Sequence, residues 1–189
     1  SSDVCSSDLK SSPYTVYDEQ DIKEKKARVF EILKSIQKHE TLNERLQEIV
    51  ECLVKYFNAY FARVWFVDEK RENLILKFSA GKYTRINGEF SKVSMNSLKI
   101  GPVAKNKKPV VTNDVANDPR VRYCDWAKKE KLKSFAAYPL IYKGKSVAVL
   151  AMFSKKKLTH VDFEILGIFC DQISKELAGL FEAKDFLFE

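Results

Sequence analysis

An α+β fold, in which a central antiparallel sheet is flanked by helices, is predicted by three observations. First, apolar stretches come in pairs around short polar turns: 61–67 with 74–80 around "DEKREN", and the two halves of "SFAAYPLIYKGKSVAVLAMFS" around Lys143-Gly144-Lys145. Turns this short join neighbouring antiparallel strands, because parallel strands need a crossover of a dozen or more residues. Second, helical periodicity occupies both ends of the chain, so helices are expected to cover the sheet. Third, 189 residues at 45% hydrophobic and 31% charged suit a single globular domain with short extensions.

The elements follow in order. The first nine residues, "SSDVCSSDL", resemble no folded element and back-translate onto a common short-read sequencing adapter. They are read as a non-native tail and set aside. That removal of Asp3 and Asp8 raises the formal charge from +7 to +9. The missing initiator Met and the stop within "AKDFLFE" fit an internal fragment of a longer protein. Residues 10–40 read as a linker and an N-terminal signalling helix. Val29, Ile32, Leu33 and Ile36 form a narrow stripe on it, as in a coiled-coil seam. A second helix from about residue 41 carries Leu46, Ile49, Val50, Leu53, Val54 and Phe57, a broad face that suits packing on a sheet.

Residues 61–67 and 74–80 form the first hairpin, and Asn87-Gly88 marks a turn in the loop that follows. Residues 91–95 are a short strand, and "SLKIGPVAKNKK" is a short helix that turns Ile100, Val103 and Ala104 inward. Residues 109–112 are a strand. In "NDPRVRYCDWAKKEKL" Asp118 precedes Pro119, the arrangement of an N-cap with proline at the first helical position. The second hairpin follows. In the last helix Thr159 and Asp162 have capping-box spacing, and Leu166, Phe169, Ile173, Leu177, Leu180, Lys184 and Leu187 step by three and four as a second seam. Residues 183–189 read as the start of a C-terminal coiled-coil linker.

This order, with these residues, resembles a GAF domain over about residues 41–182. The resemblance rests on "ARVWFVDEKRENLIL", "KIGPVAKNKKPVVTNDVANDPRV", the second hairpin and "LTHVDFEILGIFCDQIS". It is nearest to the sensory GAF modules that precede the kinase core of bacterial sensor histidine kinases. It implies a six-stranded antiparallel sheet with helices on one face and a ligand pocket on the other, closed by the middle block. It also implies terminal helices that pair with a second copy and pass signal to an output domain in the same chain.

Candidate pocket residues are Trp126, Tyr123, Asp114, Phe135 and Ala137; Leu132 and Leu140 are also expected near or under the pocket. Trp126 can stack on a planar ligand. Asp114 and Asp118 have no neighbouring His or Cys with which to hold a metal, so turn and capping duty at the pocket rim is expected of them. The dimer seam is expected from Val29 and Ile36 at one end and Phe169, Ile173, Leu177 and Leu180 at the other. Outside the tail, Cys52, Cys124 and Cys170 are widely spaced and lack a C-x-x-C, which points to reduced cytoplasmic thiols. No heme, bilin or metal signature is present: Asp125 follows Cys124 where bilin-binding relatives have His, and His39 and His160 stand at helix ends. The N-K-x-x-F motif of cyclic-nucleotide-binding relatives is absent. Lysine clusters without an aromatic-interleaved motif do not point to nucleic acid, and no segment reaches the roughly 20 apolar residues of a membrane span.

The expected function is therefore a non-catalytic sensory and dimerisation module for an unknown small molecule. Two alternatives are a thiol-dependent enzyme resembling the free methionine sulfoxide reductases, and an interaction module whose pocket is filled. Alternation along 134–142 puts Phe135 and Ala137 on one face and Ala136, Tyr138 and Leu140 on the other. With both faces covered, Phe135→Ala is expected to cost about 3–5 kcal/mol in denaturant unfolding. A loss below about 1 kcal/mol would mean an exposed site or another strand register.

Overall fold

A computed structural model describes residues 16–182, so the expectations for the tail at 1–9 and for 183–189 lie outside the described residues. The elements run α1 (Val16–Gln37), α2 (Leu42–Tyr56), β1 (Phe61–Val67), β2 (Asn73–Gly81), β3 (Lys92–Ser94) and α3 (Gly101–Asn106). They continue with β4 (Val110–Thr112), α4 (Cys124–Lys129), β5 (Ser134–Tyr142), β6 (Lys145–Ser154) and α5 (His160–Phe181). The α+β class is as expected. One six-stranded sheet has the order β3-β2-β1-β6-β5-β4, and every neighbouring pair is antiparallel.

Local chemistry accounts for the boundaries. Thr41 and Glu44 cap α2 reciprocally: the Glu44 N–H donates to Thr41 Oγ1 (3.2 Å) and the Thr41 N–H to Glu44 Oε2 (3.1 Å). Thr159 and Asp162 cap α5 in the same way, at 3.1 and 2.8 Å, which satisfies N–H groups that the first turn of a helix leaves unpaired. The β5–β6 hairpin turns on Lys143 and Gly144, with φ of 48° and 74°. Two left-handed residues make the turn that matches strand twist, and glycine removes the steric penalty at one of them. Gly101 opens α3 against the preceding loop so tightly that a Cβ there would stand 2.2 Å from the Met95 carbonyl oxygen.

The sheet separates two apolar cores. Alternation on β1 sends Ala62, Val64 and Phe66 toward the helical layer, and Phe61, Trp65 and Val67 toward the other face. On β6, Ala148, Leu150 and Met152 face the helices, while Val149, Ala151 and Phe153 face away. Helix α2 lies on β1 and β2, α5 lies on β5, and α1 packs across α5 and α2.

Helices α1 and α5 run parallel. Lys25 Nζ, midway along α1, pairs with Asp162 near the start of α5 (2.6 Å), and farther along both helices Gln37 Nε2 donates to Glu176 Oε1 (2.7 Å). This packing corrects the expected seam. Val29, Ile36, Phe169, Ile173 and Leu177 are buried within one chain, and Leu180 packs half-buried against the same core. Both stripes belong to the single helix-side core, α1 packing on α5 and α2 and α5 packing on β5 as well. A further correction concerns Leu140, which belongs to the helix-side core rather than to the pocket face, as its even parity on β5 requires. A third is the helix after Asp118, which begins only at Cys124.

Leu177→Ala removes a fully buried side chain of the helix-side core, so a loss of about 2–5 kcal/mol is expected. Equilibrium urea unfolding measures it. A change below about 0.5 kcal/mol would contradict the internal packing of α1 on α5.

Candidate ligand site

The face of the sheet away from the long helices is roofed by α3, α4 and the loops around them. Ile100, Val103 and Ala104 descend from the α3 region, Val115 and Val121 from the loop after β4, and Ala127 from α4. Beneath them a row of phenylalanines crosses three adjacent strands. Phe61 pairs with Phe153, and Phe153 with Phe135, in the strand register. Their rings follow suit: Phe61 and Phe153 stack with centroids 4.9 Å apart, and Phe135 lies 4.8 Å from Phe153.

Trp126 enters from α4 and meets this row edge-on, 6.1 Å from Phe61 and 5.7 Å from Phe153. Its Nε1–H donates to the Tyr83 hydroxyl (3.3 Å), and the Tyr83 ring lies 5.0 Å from Phe61. Such edge-to-face contacts align positive ring edges with negative faces. Trp126 stays half-buried, so it forms part of the wall while keeping contact with the exterior.

The expected residues separate. Phe135, Ala137 and Leu132 are buried in this cluster, and Trp126 packs on it. Tyr123 instead holds the loop between β2 and β3: its hydroxyl donates to Glu89 Oε1 (2.5 Å), and its ring meets Phe90 at 5.7 Å. The Trp65 indole N–H fixes the same loop by donating to the Phe90 carbonyl (3.0 Å). Asp114 is exposed and lies outside the cluster. Its N–H donates to Thr112 Oγ1 (3.0 Å) and its Oδ1 accepts from Asn117 Nδ2 (2.9 Å), so its place is a turn and not a ligand contact. Asp118 Oδ1 accepts from the N–H of Arg120 (2.9 Å) and from its Nε (2.8 Å), and Oδ2 accepts from Nη2 (2.6 Å). An Asx turn therefore stands where a helix cap was expected. The neighbouring Asn113 side chain clasps the approach to α5, exchanging hydrogen bonds with the carbonyl (2.7 Å) and N–H (2.9 Å) of Leu158.

Two cations that sequence reasoning passed over reach this aromatic face. Arg63 shares the parity of Phe61 and Trp65 on β1. Its guanidinium lies 5.3 Å from the Phe61 ring and its Nε donates to Ser79 Oγ (3.2 Å). Lys99 folds inward from the loop before α3, with Nζ 4.5 Å from Phe153 and 5.2 Å from Phe135. Burial, then repulsion by Arg63, pushes the Lys99 amine down to about 8. A visible signal existed for Arg63: it is the one charge inside "FARVWFV", at an inward position. Lys99 offered none, because a loop lysine ordinarily extends into water.

The thiols lie elsewhere. Cys52 and Cys170 are buried in the helix-side core, where burial pushes the Cys52 thiol up to about 11 and raises Cys170 further. Cys124 stands at the start of α4, its Sγ 3.1 Å from the Val121 carbonyl. Among the described residues no group of three His, Cys, Asp or Glu side chains is placed to hold a metal. No described helix is long and apolar enough to cross a membrane. A groove of about 630 Å³ between α1 and α2, lined by Phe30, Ser35, Glu48 and Tyr56 among others, lies on the opposite side of the sheet.

Comparison with known families identifies this fold. The GAF domain model matches residues 39–178, and the chain belongs to the GAF domain family. Solved structures of low identity share the fold. The GAF domain of a phosphoenolpyruvate-protein phosphotransferase from Coxiella burnetii has a TM-score of 0.76 at 14% identity, covering 87% of this chain and 99% of that one. The free methionine-R-sulfoxide reductase of Neisseria meningitidis, in complex with its substrate, has a TM-score of 0.71 at 17% identity, covering 86% and 93%. Residues 122 to 287 of a methyl-accepting chemotaxis protein have a TM-score of 0.64 at 22% identity, covering 81% and 98%. No curated protein matches the sequence.

Because the Arg120 hydrogen bonds hold the Asp118 carboxyl down at about 2, against an ordinary 3.8, its stabilising effect is complete above the ordinary value. It is lost as pH falls toward 2. Asp118→Asn is expected to cost about 1–2 kcal/mol at pH 7, a difference that shrinks between pH 4 and 2. Unfolding of both proteins across that range checks it. A difference independent of pH would mean that the carboxylate charge is not what the loop uses.

Proposed function

We propose that this GAF domain is a non-catalytic sensory module of a bacterial signal-transduction protein, a histidine kinase being the architecture its sequence resembles. In this reading a small molecule binds on the Phe61–Phe153–Phe135 face, and its occupancy is passed through β5 to the long terminal helices.

The observation that carries this reading is the double attachment of β5. One face of that strand supplies Phe135 and Ala137 to the aromatic cluster. Its other face is bonded to α5: the Tyr138 hydroxyl donates to the Phe163 carbonyl (2.6 Å), and the Ile141 N–H donates to Ser174 Oγ (3.1 Å). Tyr138 also lies against Gly167, where an added Cβ would stand 3.5 Å from its ring. A shift of β5 on ligand binding therefore reaches α5 through hydrogen bonds of fixed geometry. It biases the helix only if the ligand favours one packing over the other.

The reductase alternative needs cysteines that act at the pocket. Cys52 and Cys170 lie across the sheet from it, and their raised thiol pKa values disfavour the thiolate that attacks. No turnover of free methionine sulfoxide is expected with thiol reductants. Turnover abolished by Cys124→Ser would overturn the non-catalytic reading.

Pairing of two copies belongs to the same proposal, as does a cytoplasmic location. With the earlier seam internal, the surface we assign to pairing is the exposed side of α1, where Phe30 is 58% accessible. Sedimentation of residues 20–189 at micromolar concentration is expected to give a dimer that Phe30→Glu dissociates. A monomer would remove pairing from the proposal and leave the ligand-sensing part to be tested separately.

A further inference from the structure

Resting on the reading of the aromatic face as a ligand site, we propose that it takes a small organic acid with a planar apolar body. Arg63 and Lys99 would clasp its carboxylate, while Phe61, Phe153 and Trp126 would enclose the body.

The argument starts from charges without counter-charges. Among the described residues no Asp or Glu forms an ion pair with Arg63 or Lys99. Two acidic residues around the roof are engaged by tyrosines: Glu89 with the Tyr123 hydroxyl and Glu130 with the Tyr60 hydroxyl (2.9 Å). Among the described hydrogen bonds Arg63 makes one, to Ser79, out of the five donors of a guanidinium. The two cations lie over rings that are themselves stacked 4.9 Å apart, Arg63 over Phe61 and Lys99 over Phe153. The two cations therefore lie against one stacked pair of rings.

Two like charges against an apolar surface oppose each other and lose hydration. Contact with ring faces offsets only part of that loss. A bound anion between them would remove the repulsion, and a guanidinium fork beside an ammonium suits the two oxygens of a carboxylate. The walls decide the rest of the ligand. Phenylalanine faces and the Trp126 edge favour a flat apolar body, which inorganic phosphate lacks.

Thermal unfolding and Trp fluorescence of the chain test this with four probes: benzoate, phenylacetate, their neutral isostere benzyl alcohol, and inorganic phosphate. The acids are expected to raise Tm and to perturb Trp emission, with little response to benzyl alcohol or phosphate. Lys99→Met and Arg63→Met should each weaken acid binding by about tenfold or more, while the unliganded proteins unfold no earlier than the parent. Lys99→Gln supplies a second, milder variant if Arg63→Met fails to fold. A response to benzyl alcohol equal to that of the acids would overturn the anion assignment and leave the ligand-site reading standing. So would acid binding unchanged in both Lys99 variants. Absence of any response to all four probes would overturn both.

Discussion

Strands β1, β6 and β5 each have to satisfy two cores at once, and the rest of the fold depends on that constraint. A strand buried on both faces cannot trade a residue from one side to the other, because a slip of one position inverts every side chain. Phe61, Phe153 and Phe135 are thereby locked into one lateral row, with Ala62, Met152 and Ala136 locked behind them against the helices. The register that makes the hydrophobic core is the same register that builds the candidate site. Neither can be altered without the other.

The same alternation explains the unusual position of Arg63. Its neighbours in "FARVWFV" are apolar, and the parity that buries Phe61 and Trp65 carries its guanidinium to the roofed face. There it can reach Ser79 and two aromatic rings but no acidic partner among the described residues. A charge in such a place weakens folding relative to an apolar residue of equal size. This is the pattern expected where a local choice disagrees with stability because a site requires it.

Much of the architecture was legible in the chain. The hairpins announce themselves through turn chemistry at Lys143-Gly144, and the helix starts through Thr41 and Thr159. Each of these is a local signal with a local cause. What escaped reading was set by tertiary packing. Helical spacing in Val29…Ile36 and Phe169…Leu177 says that an apolar stripe must be covered, but not by which surface, and both stripes join one core within the chain. Asp118-Pro119 has the composition of a helix start, yet the Arg120 side chain captures the carboxylate before a helix can use it. Lys99 was invisible because only the folded roof shows which way a long flexible side chain turns. Of the candidate site, Phe135, Ala137 and Trp126 were legible from alternation and family resemblance. Asp114 and Tyr123 were drawn in by proximity in sequence, and they serve the turn and the covering loop.

The parallel course of α1 and α5 fixes how the domain sits along its own polypeptide. From Lys25 to Gln37 the first helix advances 12 residues while its partner advances 14, from Asp162 to Glu176, a pace of nearly equal rise. Entry through the start of α1 and exit through the end of α5 therefore occur at opposite ends of the helical layer. A domain arranged in this way is a segment in series, comparable to a link in a chain rather than a side branch. Any neighbour joined by continuous helix at either end would inherit its angular phase from this pair. The length of such a connector would then matter modulo the helical repeat of 3.6 residues, and less through its composition.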